Sequence, residues 1–263
     1  MTSPLTRYRM TIEYKGTNYS GWQRQKHVPS IQQAVEEAIT KFSGQDITIH
    51  AAGRTDAGVH ATGQVIHFDL APTKKPMSAF EVAKAINAHL RPAPIVITHS
   101  EITHPDFHAR FDATNKLYRY RIVNRSCPLG LEKKMAWVQH KPLNVAAMHE
   151  GAQHLIGKHD FTSFRAAECQ ANSPIRTLDR LDVTARPYDN HGGIEIWIEA
   201  EAQSFLHHQI RNFAGTLQMV GEGKWKPADI KTALEAKDRT VSGPTAPPDG
   251  LYLMRIDYPS KIT

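Results

Sequence analysis

The chain has 263 residues, 40% hydrophobic and 22% charged, the balance of an ordinary folded protein with a sizeable core. Its 32 basic residues against 26 acidic ones give a net charge of +6, which admits a polyanionic partner without specifying one. No apolar run has the length of a membrane span, and Met1-Thr2-Ser3-Pro4-Leu5-Thr6-Arg7 lacks a signal-peptide core, so no membrane is expected and the cytoplasm follows by default.

Residues 7–14 alternate and read as a strand. Ser30 then caps a helix, with Gln33 completing a capping box, and Ile31, Ala34, Val35, Ala38, Ile39 and Phe42 recur at helical spacing until Gly44. Strands are expected at 46–52 and 64–70. Residues 72–76 form a linker, and Ser78 with Glu81 opens a helix through Leu90, followed by a strand at 95–102. The order is then β-α-β-β-α-β. The second half repeats it, with a strand at 116–123, a helix at 145–156, strands at 177–185 and 194–204, helices at 207–220 and 227–236, and a strand at 251–258. The reading is α+β, two tandem ferredoxin-like halves at 1–104 and 105–263, with insertions at 124–142 and 157–175 in the second. Long segments of that kind are often functional.

Between the strands at 46–52 and 64–70 lies Gly53-Arg54-Thr55-Asp56-Ala57-Gly58-Val59-His60-Ala61, a Gly-rich loop carrying one carboxylate beside an arginine. Glycines permit positive φ and close backbone approach, so the loop is able to present Asp56 to a ligand. Asp-Ala-Gly is also ordinary turn chemistry, and on its own favours a plain hairpin. Basic residues interleave with aromatics at Lys116, Tyr118, Arg119, Tyr120, Arg121 and Arg125, and at Arg9, Tyr14, Lys15, Trp22, Arg24 and Lys26. That composition suits looped RNA, and equally a charged strand edge. The cysteines, Cys127 and Cys169, are too few and far apart for a CxxC-type zinc site, and the 15 histidines show no HExxH spacing, so no metal is expected.

The segment from Arg54 to Ala61 resembles the signature loop of the tRNA pseudouridine synthase A family, in which the aspartate is the catalytic nucleophile. Similar matches recur in the family's order: Tyr14-Lys15-Gly16-Thr17, Gly21-Trp22-Gln23, Lys116-Leu117-Tyr118-Arg119-Tyr120, His159-Asp160-Phe161-Thr162-Ser163-Phe164-Arg165, Phe205-Leu206-His207-His208-Gln209-Ile210-Arg211-Asn212 and Pro248-Asp249-Gly250-Leu251-Tyr252-Leu253. The resemblance spans nearly the whole chain. It implies a pseudouridine synthase fold of two α/β domains with a basic cleft between them, a homodimer, and isomerisation of uridine at positions 38, 39 and 40 in the anticodon arm of tRNA. By resemblance Arg211 pairs with the catalytic carboxylate. Arg54 helps displace the target base and contacts the backbone, Tyr118 stacks on the uracil and aids proton removal from C5, and Leu253 packs against the flipped base. Read alone, Arg211 is a solvated helix position, Tyr118 a half-buried tyrosine and Leu253 a strand core residue.

Pseudouridine formation breaks the C1′–N1 bond, turns the uracil and rejoins it through C5. It needs no redox partner or group donor, hence no cofactor, and the Gly-rich runs match neither GxGxxG nor a P-loop. It does need a carboxylate at C1′, as in sugar transfer, and a cation to keep that carboxylate charged once water is excluded. Two rivals are weaker. A non-catalytic binder of two RRM-like modules would show a Gly-aromatic RNP1 strand and has no use for Asp56. A nucleoside hydrolase would normally want paired carboxylates. The sequence departs from the family pattern at Gln209, where methionine is usual, and at Phe213-Ala214, where an aliphatic pair is usual, which puts the packing of that helix in doubt.

Overall fold

The computed structural model describes residues 5–73 and 75–259; residues 1–4 of the N-terminal reading, and residue 74 of the expected linker, lie outside them. The arrangement is mixed α/β. In chain order come β1 (Thr6–Tyr14), α1 (Ile31–Ser43), β2 (His50–Ala51), β3 (His60–Leu70), α2 (Ala79–Leu90), β4 (Ile95–Ile102) and β5 (Asn115–Asn124). There follow β6 (Trp137–Gln139), α3 (Val145–Gln153), β7 (Gly157–Asp160), β8 (Ile175–Leu178), β9 (Arg180–Pro187), β10 (Ile194–Ala202), α4 (Gln209–Gly221), α5 (Asp229–Ala236) and β11 (Leu251–Asp257). Two compact units result, Met1–Thr114 with Leu253–Thr263, and Asn115–Tyr252. The sequence reading set its boundary at 104/105 and left the closing strand with the second half; here that strand returns to the first unit from Leu253 on.

In the first unit β1 lies between β4 and β3, antiparallel to both, and β2 joins the other side of β3. Alternation along β1 buries Tyr8, Met10, Ile12 and Tyr14. Each fully buried apolar side chain of this size contributes roughly 1.5–3 kcal/mol. The opposite face carries cross-strand ion pairs between residues in register, Arg7 with Asp69 at 2.7 Å and Arg9 with Glu101 at 3.1 Å. The Ser78–Glu81 capping box is complete at α2. At α1 only half of it forms: Ser30 Oγ accepts the Gln33 N–H, while the Gln33 side chain turns to Glu37 instead. Residues 46–49 do not join a ladder. The Ile49 N–H is taken by Glu36 Oε1, and the Gln45 side chain pairs with both backbone groups of Ala71, so side chains replace strand bonds there.

In the second unit β10 pairs antiparallel with β5 and β9, and β6 runs parallel to β5. The expected strand at 177–185 divides at Asp179, whose N–H goes to Glu201, and its first part pairs with β7 in a separate two-stranded sheet. On β10 the residues Ile196, Ile198 and Ala200 are fully buried. The other face is a charge ladder in which Glu199 takes Arg119 and Arg180, and Glu195 takes Arg121 and Arg186. The expected helix at 145–156 ends at Gln153, where His154 caps it.

Candidate active site

The Asp56 loop closes on itself and is fastened from outside. Val59 N–H donates to Asp56 O at 3.1 Å across a turn whose third residue, Gly58, has φ +81°, a conformation that glycine adopts without strain. Thr55 is buried, Asp56 half-buried and Arg54 exposed. Among the described residues no hydrogen bond or ion pair holds the Arg54 guanidinium, so one residue of the loop is anchored, the next semi-open and an adjacent cation faces solvent.

The anchors come from the end of β1, the segment after it and β3. Trp22 N–H donates to Thr55 O at 3.0 Å, Gly58 N–H to Tyr19 O at 3.2 Å, and Gly16 N–H to the Nδ1 of buried His60 at 3.1 Å. Tyr14 and Thr55 join hydroxyls at 2.8 Å, and Gln64 Nε2 donates to Gly53 O at 2.7 Å. Burial pushes the Tyr14 pKa up to about 12, so its hydroxyl keeps its proton at neutral pH. Two glycines make the approach possible. A β-carbon at Gly16 would sit 1.9 Å from Val59 O, and one at Gly21, whose φ is +91°, would sit 2.6 Å from Thr55 O. The motifs Tyr14-Lys15-Gly16-Thr17 and Gly21-Trp22-Gln23 are thus the wall against which the loop is cast. Leu253 belongs to this same unit, on β11, and is fully buried.

Tyr118 and Arg211 belong to the second unit. Tyr118 lies on β5, 8% exposed, with the Phe205 ring edge-on at 5.3 Å. Arg211 lies in the first turn of α4, where its Nε donates to Ala246 O at 2.8 Å and its own carbonyl accepts Ala246 N–H at 3.1 Å. Tyr120, whose hydroxyl donates to Pro247 O at 2.7 Å, is fastened to the same segment. Burial drives the Tyr120 pKa well up, and the positive charge of Arg211 pulls it partly back. That segment comes close to α4 because Gly215 has no β-carbon; one there would meet Pro244 O at 1.7 Å.

The departures around Arg211 have local explanations. Gln209 Oε1 accepts Leu206 N–H at 2.8 Å while Gln209 N–H returns to Leu206 O, a reciprocal clamp that starts α4 after the left-handed His208, φ +60°. Phe213 is fully buried against Phe161 and Phe164, at 5.6 and 5.2 Å between ring centroids. Asn212, also fully buried, donates to Phe164 O and accepts from Arg239 and Thr245, so it ties the run from His159 to Arg165 to the helix that carries Arg211.

The family described as tRNA pseudouridine synthase matches residues 10–112 and 152–259. A tRNA pseudouridine synthase A of Sinorhizobium fredii is 53% identical over 97% of this chain and 100% of its own length. Those of Rhizobium leguminosarum bv. trifolii and Rhodospirillum rubrum are 54% and 51% identical, each over 98% of this chain and over 94% and 89% of their own lengths. The chain belongs to the tRNA pseudouridine synthase family.

Within this pseudouridine synthase the sequence reading singled out Asp56, Arg54, Tyr118, Arg211 and Leu253; it quoted Tyr14, Gly16, Gly21, His60, Gln209 and Asn212 in motifs without giving them a part, and did not single out Gln64 or Gly215. Tyr14, Gly16, Gly21, His60 and Gln64 shape the Asp56 loop; Gln209, Asn212 and Gly215 shape the start of α4. One signal was present, a glutamine at position 64 on a strand otherwise rich in apolar residues. Chemically, the first unit offers a carboxylate on a fixed turn with a free-standing guanidinium beside it. The second offers an aromatic ring and an arginine whose Nε is already committed.

Proposed function

We infer that this chain is an isomerase that converts uridine to pseudouridine in tRNA, and that Asp56 is its nucleophile. Family membership over nearly the full length carries the reaction class. The fixed turn around Asp56 supports the role of that residue, because a group that must meet C1′ gains most from being held in place before the substrate arrives. An ionised carboxylate needs no general base to act at C1′. As the C1′–N1 bond breaks, the electron pair leaves on the uracil. After rotation C5 bonds to C1′ as the carboxylate leaves it, the C5 proton is removed, and N1 recovers a proton, so atoms balance without a cofactor.

Around this reaction we assign Arg211 as the cation that keeps the carboxylate charged, Tyr118 as the ring beneath the uracil with a hydroxyl for the C5 proton, Arg54 as a contact to the RNA backbone, and Leu253 as an apolar contact of the flipped base. These roles rest on the family resemblance. Exposure of Arg54 beside the half-buried Asp56 fits its part. Full burial of Leu253 fits a core residue as well as its assigned part.

The finer reading extends to uridines at positions 38, 39 and 40 of the anticodon arm, a homodimer, a cytoplasmic location and two ferredoxin-like halves around a basic cleft. Strand order β4-β1-β3-β2 in the first unit, antiparallel throughout, supports the first of those halves. Among the described residues no helix is long and apolar enough to cross a membrane. Incubating the purified protein with unmodified tRNA tests the function. Pseudouridine at unchanged mass, mapped to the anticodon arm, is the expected result; released uracil or unaltered uridine would overturn it.

A further inference from the structure

The residues between β4 and β5 carry a second feature, remote from Asp56 but in the same unit. The loop is held tightly: His108 N–H donates to the Asp112 carboxylate at 2.8 Å, His108 Nδ1 lies 3.2 and 3.3 Å from the Arg110 and Phe111 N–H groups, and Ala109 N–H donates to His67 Nδ1 at 3.1 Å. On this frame the rings run in series, two stacked contacts joined by an edge-on one. His50 lies on His67 at 5.0 Å and 20°, His67 meets His108 at 4.7 Å, and His108 lies on Phe111 at 4.2 Å and 30°. The series ends in solvent, where Phe111 is 74% exposed with the Arg110 guanidinium 5.9 Å from its ring.

A lone exposed ring is ordinary on a protein surface; Phe111 differs in standing on a stiff loop, backed by the His108 ring and flanked by a guanidinium. We propose that Phe111 is a stacking platform for an unstacked base of the tRNA substrate, with Arg110 taking the neighbouring phosphate. The proposal rests on the reading that tRNA is the substrate. A flat ring paired with a cation is what a nucleotide presents surfaces for, and every base has a face to stack. Burial of His67 beside His108, His50 and Arg7 holds its pKa down to about 4, and burial lowers that of His108 as well, so both rings are largely uncharged at neutral pH. A second protein copy is a poorer occupant. One exposed ring falls far short of the ~800 Å² per partner of a standard protein interface. The platform also cannot serve the reacting base: His67 lies seven residue steps along β3 from His60, at the Asp56 end, about 23 Å at 3.3 Å per residue.

The test is tRNA binding and steady-state kinetics of Phe111→Ala, Phe111→Trp and Arg110→Gln, with thermal melts to show that each is folded. Phe111→Ala should raise the Kd and KM for tRNA about 5- to 100-fold, within the range for losing one stacked base, with kcat at saturating tRNA within about twofold. Phe111→Trp should bind as wild type. Arg110→Gln should weaken binding and lower the salt slope by about one. A folded Phe111→Ala protein that binds tRNA as wild type would overturn the proposal while leaving the function intact. So would loss of kcat at constant KM, or a change in oligomeric state with binding unaltered. A wild-type protein that neither binds nor modifies tRNA would overturn the substrate reading, and this proposal with it.

Discussion

Gly16 lies against the carbonyl of Val59 so closely that a β-carbon there would stand 1.9 Å from the oxygen, and its own N–H is bonded to His60 at 3.1 Å. The turn that presents Asp56 is therefore shaped by a residue 40 positions earlier in the chain. Gly16→Ala should displace that turn. Misplacing a reacting group by about 1 Å costs on the order of 100-fold in rate, so kcat should fall by about that factor while KM for tRNA changes by less than about threefold. Steady-state kinetics on one tRNA would check it; wild-type kcat would mean that the contact does not set the loop. Tyr14→Phe, which removes the hydroxyl's bonds to Thr55 and Gln64, should cost about 1–3 kcal/mol of stability by chemical denaturation and less activity than Gly16→Ala.

Tyr118→Phe separates the two roles proposed for one residue. The ring remains for stacking, so tRNA binding should stay near normal. The hydroxyl is lost, and turnover should fall by at least about 100-fold, the lower range for losing a general acid or base. Tritium release from tRNA labelled at C5 of uridine reports the proton step. Release at the wild-type rate would leave Tyr118 as a stacking surface alone.

His67 links stability to pH. Burial, with the charges of His108, His50 and Arg7 around it and Asp69 opposing them, lowers its pKa from 6.5 to about 4. The unfolded chain takes up this proton at higher pH than the folded one, so the stability due to neutral His67 is present above about pH 6.5 and is lost as pH falls to about 4. Allowing for partial screening, the loss is roughly 2 kcal/mol. His67→Phe should be less stable at pH 7, because Ala109 N–H loses its acceptor, and should show a flatter pH profile from 7 to 4. Equal slopes in the two proteins, by denaturant titration, would contradict the assignment.

Much of the fold was legible where local chemistry decides. The strand at 95–102 and the helix after Ser78 appear as read, because alternation and a capping box are properties of neighbouring residues. The expected strand at 46–52 shrank to His50–Ala51 because Glu36 and Gln45, from α1 and its end, satisfy backbone groups that a ladder would otherwise take. The break at Asp179 has no glycine or proline to announce it and depends on a bond to Glu201. The site divides the same way. Asp56 was singled out by the resemblance of its loop to the family's signature, its own turn chemistry favouring a plain hairpin, whereas the roles of Gly16, Gly21, Gln64 and Asn212 lie in contacts between distant parts of the chain.

Asp56→Asn bears most directly on the whole account. The amide keeps the size of the side chain but is a far poorer nucleophile and does not balance positive charge at C1′. Single-turnover pseudouridine formation, with excess enzyme over unmodified tRNA, should fall below detection, at least about 10,000-fold, while Kd for the same tRNA stays within about threefold. Formation within tenfold of the wild-type rate would remove Asp56 from the reaction and contradict the account.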